Sequence, residues 1–196
     1  MRLTQVTAPE VEAIGVDEVK EYLEIFHSDR DDLIGTLIGA VTSYLDGPSG
    51  ILGRVICEQV WALELTQWPA VRLALPVEPL TSVVVSYIDA EGAEQTLPSS
   101  AYQVIGLGDL GQVSTRPELI WEANASLPPL GAGMFPVTVT MTGGAATAGA
   151  VPKGLRTAMI MLAGHWFDNR PAVTGASMSE VPMTISTLLA RYRRML

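Results

Sequence analysis

Apolar residues recur at helical spacing near both ends of the chain and alternate with polar residues in its middle. In residues 17–26 the apolar positions would share one face of a short helix, and acidic residues occupy its first turn. A second helix is predicted to begin at Ser28, with Asp31 in a capping-box position, and to end at the Gly/Pro-rich residues 47–50. The predicted apolar positions of the two helices are Val19, Tyr22, Leu23 and Phe26, and then Leu33, Ile34, Leu37, Ile38, Val41 and Tyr44.

From Val55 the period changes to two, which predicts strands. The first would place Val55, Cys57, Gln59, Trp61, Leu63 and Leu65 on one face. Residues 89–92 are typical of a hairpin turn. Residues 137–142 alternate apolar residues with Thr, as in a half-buried antiparallel strand. The other predicted strands lie at 71–75, 82–88, 94–97 and 102–105.

Two further helices are predicted after Pro152. The first has apolar residues on several faces, which predicts burial on more than one side: Leu155, Met159, Ile160, Met161, Leu162, Ala163, Trp166 and Phe167. The second has one apolar stripe, with Arg191 and Arg194 pointing away from it: Ile185, Leu188, Leu189, Tyr192 and Leu196. The end of the chain would therefore offer cations to a partner or to solvent.

The order of helices, strands and helices predicts an α+β fold. A helical core would be formed by the N- and C-terminal helices, with an antiparallel β region inserted between them. The corresponding division is residues 1–53, residues 54–144 and residues 145–196.

Composition and charge exclude several classes of protein and of partner. The 196 residues are 48% hydrophobic, which suffices for a sizeable core. The net charge of −9 is uneven, because residues 1–46 hold ten acidic and three basic residues whereas residues 152–196 hold two acidic and six basic ones. An acidic body disfavours binding of duplex DNA, which requires clustered Lys and Arg. The single cysteine excludes an internal disulfide, and no apolar run approaches the ~20 residues that span a bilayer, so we expect no membrane partner.

Candidate chemistry is sparse. Gly106–Gly111 matches the GxGxxG pattern of dinucleotide-binding loops, but the residues that follow are typical of a strand and are then broken by Pro117. His165 lies three residues before Asp168 on a predicted helix, which is close enough for an acid–base pair. Ligand spacings typical of zinc and calcium sites are absent from the sequence. We therefore expect no catalytic residues, no cofactor and no metal.

Several segments, taken in order, resemble the head-tail connector (adaptor) family of long-tailed bacteriophages and gene transfer agents. The likeness covers nearly the whole chain, except residues 106–136, and its clearest part lies near the C-terminus. The segments are DEVKEYLEI, DRDDLIGTLIGAVTSYL, CEQVWALELTQWP, LPVEPLTSVVVSYIDAEGAEQTLPSSAYQV, VPKGLRTAMIMLAGHWFDNRPAV and TLLARYRRML.

The resemblance implies a non-enzymatic structural virion protein. Its copies would form a homo-oligomeric ring, commonly a dodecamer, that joins the portal protein to a neck stopper or tail-completion protein. DNA would pass through the lumen without sequence-specific binding, and an acidic ring would let the duplex slide because it repels phosphate. The protein would be located in the virion neck, and in the host cytoplasm during assembly.

We expect the contact with the portal or a neighbouring subunit at the basic end of the chain. The residues concerned are Arg191, Tyr192, Arg193, Arg194, Met195 and Leu196. Changing the three arginines together to Glu is expected to leave folding intact and to impair assembly.

The alternative to a structural virion protein is a small cytoplasmic enzyme or nucleotide-binding domain that uses Gly106–Gly111 and the His165/Asp168 pair.

Overall fold

The computed structural model describes residues 1–112, 116–169 and 182–194, and these residues form an α+β fold. The helices are α1 (Val16–Tyr22), α2 (Asp31–Leu45), α3 (Lys153–Asp168) and α4 (Met183–Ala190). The strands are β1 (Arg2–Thr7), β2 (Gln59–Leu65), β3 (Arg72–Ala74), β4 (Ser82–Ile88), β5 (Glu94–Thr96), β6 (Tyr102–Ile105), β7 (Glu118–Trp121) and β8 (Val137–Gly143). The predicted fold class is confirmed.

The helices pack around α3, which contacts the other three. Its predicted burial on several sides is confirmed, because Leu155, Met159 and Leu162 are fully buried while Ile160 and Trp166 are partly buried against the same cluster. The apolar stripe of α2 is likewise buried at three positions: Ile34, Ile38 and Val41. Helix–helix contact thus follows from the periodicity of the sequence.

The region between α1 and α2 differs from the prediction. Helix α1 ends at Tyr22, and the Phe26 side chain is 92% exposed instead of packing with the stripe. Helix α2 begins at Asp31 with Arg30 as its N-cap, and no side chain caps it. The predicted capping box at Ser28 is therefore wrong, since Ser28 accepts the Asp31 N–H through its backbone carbonyl.

The strands form two antiparallel sheets. One has the order β1-β2-β8-β4-β5, and the other has the order β3-β7-β6. Strand β8 is central, so that Val139 pairs with Leu63 of β2 on one side and with Val85 of β4 on the other. The predicted strand 82–88, its hairpin turn and the strand at 137–142 are confirmed.

Three features of the sheets were not predicted. Strand β1 pairs with β2 at the edge of the larger sheet, so the N-terminal residues contribute to the β region as well as to the helices. Strand β7 lies within the stretch that has no counterpart in the family resemblance. The strand that was predicted from Val55 begins only at Gln59. The division at residues 53 and 144 stays a prediction.

Buried apolar residues form two clusters, one among the helices and one between the sheets. Residues 54–58 run from one cluster to the other: Val55 belongs to the sheet cluster, whereas Ile56 and Cys57 belong to the helical cluster. This segment pairs with Ala145, whose N–H donates to the Ile56 carbonyl at 2.8 Å and whose carbonyl accepts the Glu58 N–H at 2.9 Å. Helices and sheets therefore meet at residues 54–58 and at Ala145, where the chain enters and leaves the stretch from β2 to β8.

Candidate functional site

Of the predicted interface residues, those at positions 191–194 form a turn that continues α4. The Tyr192 N–H donates to the Leu189 carbonyl at 2.9 Å, and the Arg194 N–H donates to the Leu52 carbonyl at 2.7 Å. Tyr192 is buried with the apolar stripe of α4, and a side chain at Gly154 would place its Cβ 2.7 Å from the Tyr192 hydroxyl. The turn is thus held against α3 and against the loop that follows α2.

Arg194 fixes the turn to the β region. Its Nη1 donates to the Pro76 carbonyl at 2.8 Å and its Nη2 donates to the Leu75 carbonyl at 3.2 Å. Its Nε lies 3.5 Å from Oε2 of Glu78, whose side chain is completely buried. Only 25% of the Arg194 side chain is exposed. The guanidinium therefore neutralises a buried carboxylate and is not available as a free surface cation.

Arg54 faces the other oxygen of the same carboxylate. Its Nε lies 3.4 Å from Glu78 Oε1, and both side chains are buried. Burial lowers the pKa of Arg54, and the negative charge of Glu78 opposes that effect. Arg54 also donates to the carbonyls of Asp109 and Gln112, at 3.4 and 3.1 Å. Arg54, Glu78 and Arg194 form what we call the buried charge cluster, which joins four segments of the chain.

The structure thus changes the interpretation of the basic end. The prediction that Arg194 points away from the packed stripe as an available cation is wrong, because the buried charge cluster holds its guanidinium. Arg191 and Arg193 are exposed and make no ion pair within residues 1–112, 116–169 and 182–194. Met195 and Leu196 lie outside the described residues. We call the exposed pair Arg191 and Arg193 the basic turn.

Sequence reasoning missed the roles of Arg54 and Glu78. Arg54 stands in the apolar stretch Ile51–Cys57, and a lone charge in such a stretch indicates a buried partner. The partner could not be identified from the sequence, because Glu78 is 24 residues away and Arg194 is 116 residues further on.

Gly106–Gly111 lies in a loop between β6 and β7. A dinucleotide fingerprint works by presenting backbone N–H groups at the start of a helix. Here the element that follows in the described residues is β7, and the Asp109 carbonyl of the loop accepts a hydrogen bond from Arg54. The loop thus lacks the strand–helix context that such a site requires.

The His165 ring lies beside the side chain of Asn169, four residues further along the chain. Its Nδ1 lies 3.1 Å from the Asn169 side-chain nitrogen, while Asp168 is exposed. Within the described parts of the chain, no three His, Cys, Asp or Glu side chains converge as metal ligands would. Of the described helices, none is long and apolar enough to cross a membrane.

Comparison with known proteins finds likeness at the level of the fold. No protein-family model matches the sequence, and no curated protein sequence matches it. Among solved structures, a chain in the neck of an empty GTA particle computed with C6 symmetry superimposes with a TM-score of 0.75 and 22% identity. A chain in the neck of a native GTA particle computed with C12 symmetry gives 0.68 and 24%, and one in the virion of a native gene transfer agent particle gives 0.67 and 22%. Each alignment covers 100% of this chain and 97% of the other, so the whole chain shares this fold.

Proposed function

We propose that this chain is a structural subunit of an oligomeric ring in the neck of a gene transfer agent or tailed-phage particle. The observation that carries the proposal is the full-length fold similarity to chains in GTA necks computed with C6 and C12 symmetry. The ordered sequence segments that resemble head-tail connectors support the same proposal, because a likeness in sequence is independent of the likeness in fold.

The specific role that we propose is that of a head-tail connector. Its ring, a dodecamer in the particle, would join the portal protein to a neck stopper or tail-completion protein, and DNA would pass through its lumen during ejection. The acidic charge of the chain suits this role, since a net charge of −9 opposes adhesion of the duplex to the ring. The exposed basic turn supplies the opposite charge for contact with a protein neighbour.

Deletion of the gene from the genome that encodes it tests the proposal. Particles are then expected to fill with DNA but to lack attached tails, so that heads and tails separate in electron micrographs. Wild-type particles should contain the protein at the neck in reconstructions, with a copy number that is a multiple of six. Fully tailed particles produced by the deletion strain would contradict the proposal.

A ligand screen addresses the alternative enzyme or nucleotide-binding function. A nucleotide or metal ion that binds the folded state at a hundredfold excess over its Kd stabilises it by about 2.7 kcal/mol. We expect no shift in Tm with nucleotides or divalent cations. A reproducible shift that is lost when His165 or the 106–111 loop is altered would favour the alternative.

A further inference from the structure

A groove runs between α1 and α3 on the surface of the helical cluster. It consists of two adjoining cavities of about 280 and 210 Å³ that share Tyr22 and Met161. Ile160 also lines the larger cavity. The Tyr22 ring packs on α3 so closely that a Cβ at Gly164 would lie 2.7 Å from it. Even so, the Tyr22 side chain is 52% exposed. We call this feature the Tyr22 groove.

The rim of the Tyr22 groove is acidic. Glu18 and Glu21 line one cavity, and Asp168 lines the other. Glu18 pairs with Arg156, but Glu21 and Asp168 are exposed and form no ion pair in the described parts of the chain. The groove therefore combines the apolar side chains of Tyr22, Ile160 and Met161 with two carboxylates that have no ion-pair partner among the described residues.

The basic turn has the complementary character. Arg193 lines a small cavity of about 70 Å³ together with Tyr44 and Ile51, so its charge stands beside partly exposed apolar side chains. Arg191 is exposed on the same turn. A partner for this surface needs carboxylates around an apolar surface, which is what the Tyr22 groove provides.

The basic turn cannot reach the groove of its own chain. Pro182 and Ile185, at the start of α4, line the groove, whereas the basic turn follows the other end of that helix. Eight helical residues separate the two by about 12 Å, and Arg194 anchors the turn to Leu52 and Pro76. Two complementary surfaces at different places on one molecule are the requirement for a head-to-tail contact that can close into a ring.

We infer that the Tyr22 groove receives the basic turn of an adjacent copy of this chain, with Arg191 and Arg193 facing Glu21 and Asp168. This inference rests on the proposed ring function and specifies which surfaces meet between subunits. Successive copies would repeat the same contact around the ring.

Reciprocal charge reversal tests this contact. One variant carries Arg191→Glu and Arg193→Glu, and the other carries Glu21→Lys and Asp168→Lys. In each variant alone, the turn of one copy and the groove of the next carry charges of the same sign and repel each other. In an equimolar mixture, a ring in which the two kinds of copy alternate has an attractive contact at every interface. Self-association is measured by sedimentation velocity over a concentration series at low salt, where surface charges are weakly screened. Circular dichroism verifies that each variant is folded.

We expect each variant alone to associate about tenfold or more weakly than the wild type, and the mixture to recover wild-type association. The matched control for the Glu21/Asp168 variant is Glu91→Lys with Glu94→Lys, which changes the net charge by the same amount and sign at the exposed β4–β5 hairpin and should associate like the wild type. A monomeric wild type at all concentrations, unimpaired single variants or an inactive mixture would overturn the inference. If the chain nevertheless occupies the neck of purified particles, the proposed function is retained and only this subunit contact is rejected. The basic turn would then contact another neck protein.

Discussion

At the scale of the residue, Glu78 explains why two arginines that are adjacent in sequence behave differently. Arg193 is exposed, whereas Arg194 turns inward because the buried carboxylate requires a positive partner. Arg54 supplies a second partner, and the two guanidinium groups together bind four backbone carbonyls. The charges of the buried charge cluster are therefore structural, and we expect reversal of Arg194, unlike reversal of Arg191 and Arg193, to impair folding.

Removal of the Arg194 side chain should destabilise the protein, since Glu78 would lose one of its two counter-charges and two carbonyls would lose their donors. For Arg194→Ala we expect the free energy of unfolding to fall by about 2–3 kcal/mol. Arg193→Ala is the matched control and should change it by less than about 0.5 kcal/mol. Urea denaturation followed by circular dichroism measures both, and equal values for the two variants would contradict the structural role of Arg194.

At the scale of the element, the end of α1 places a non-glycine residue in the left-handed region. Glu24 has φ of 56°, and it donates to the Glu21 carbonyl while Ile25 donates to the Lys20 carbonyl. This hydrogen-bond pattern is a Schellman motif, in which glycine is the preferred residue at the left-handed position. The motif ends α1 and turns the chain so that Phe26 faces solvent.

Glu24→Gly is expected to stabilise the protein by about 0.5–1 kcal/mol, because glycine adopts positive φ without steric cost. Glu24→Ala keeps the β-carbon and the strain, so it should give no such gain. Urea denaturation of the two variants compares them directly. A larger gain for alanine than for glycine would show that the charge of Glu24, and not its backbone conformation, is unfavourable.

The stability of the start of α1 depends on pH because Glu18 titrates there with a lowered pKa. A hydrogen bond from the Gly15 backbone N–H is the largest effect that lowers the pKa of Glu18, and Arg156 lowers it further against the opposing effect of burial. In the folded state this carboxylate therefore binds fewer protons than in the unfolded state. The stability that ionised Glu18 contributes is present above the ordinary glutamate pKa and is lost as pH falls through the lower folded-state value.

Glu18→Gln should therefore reduce stability at neutral pH by about 1 kcal/mol or less, since the ion pair is partly exposed. The difference between this variant and the wild type should shrink as the solution is made more acidic. Urea midpoints recorded from neutral to acidic pH provide the measurement, and a difference that grows in acid would contradict the sign.

At the scale of the whole molecule, Cys57 reports on the junction between helices and sheets. Burial raises the pKa of its thiol to about 11, with smaller contributions from the charges of Asp46 and Glu12. A thiol reagent at about pH 8 should thus react with the folded protein only when the junction opens. We expect labelling to be slow in buffer and rapid in concentrated urea. Complete labelling of the folded protein within seconds would show that the junction opens without unfolding.

The sequence predicted those parts of the fold that depend on local pattern. The strands at 82–88 and 137–142 alternate cleanly, and the apolar faces of α2 and α3 recur at helical spacing, so these elements were found correctly. Strand β1 has five exposed positions out of six and hence no burial pattern to detect. It forms because β2 offers an edge for hydrogen bonding, which is information that lies elsewhere in the chain.

For the candidate site too, the sequence predicted only those features that depend on local pattern. The sequence by itself determined the α+β class, the acidic body and the basic end, because periodicity and charge are properties of short segments. Only the tertiary structure decided which cations are available, since burial of Arg194 depends on Glu78 and Arg54, which folding brings together from distant positions. It also decided that Tyr22, which was predicted to lie on the apolar face of α1, lines a groove beside Glu21 and Asp168. Exposure is a property of the assembled surface, and no local pattern encodes it.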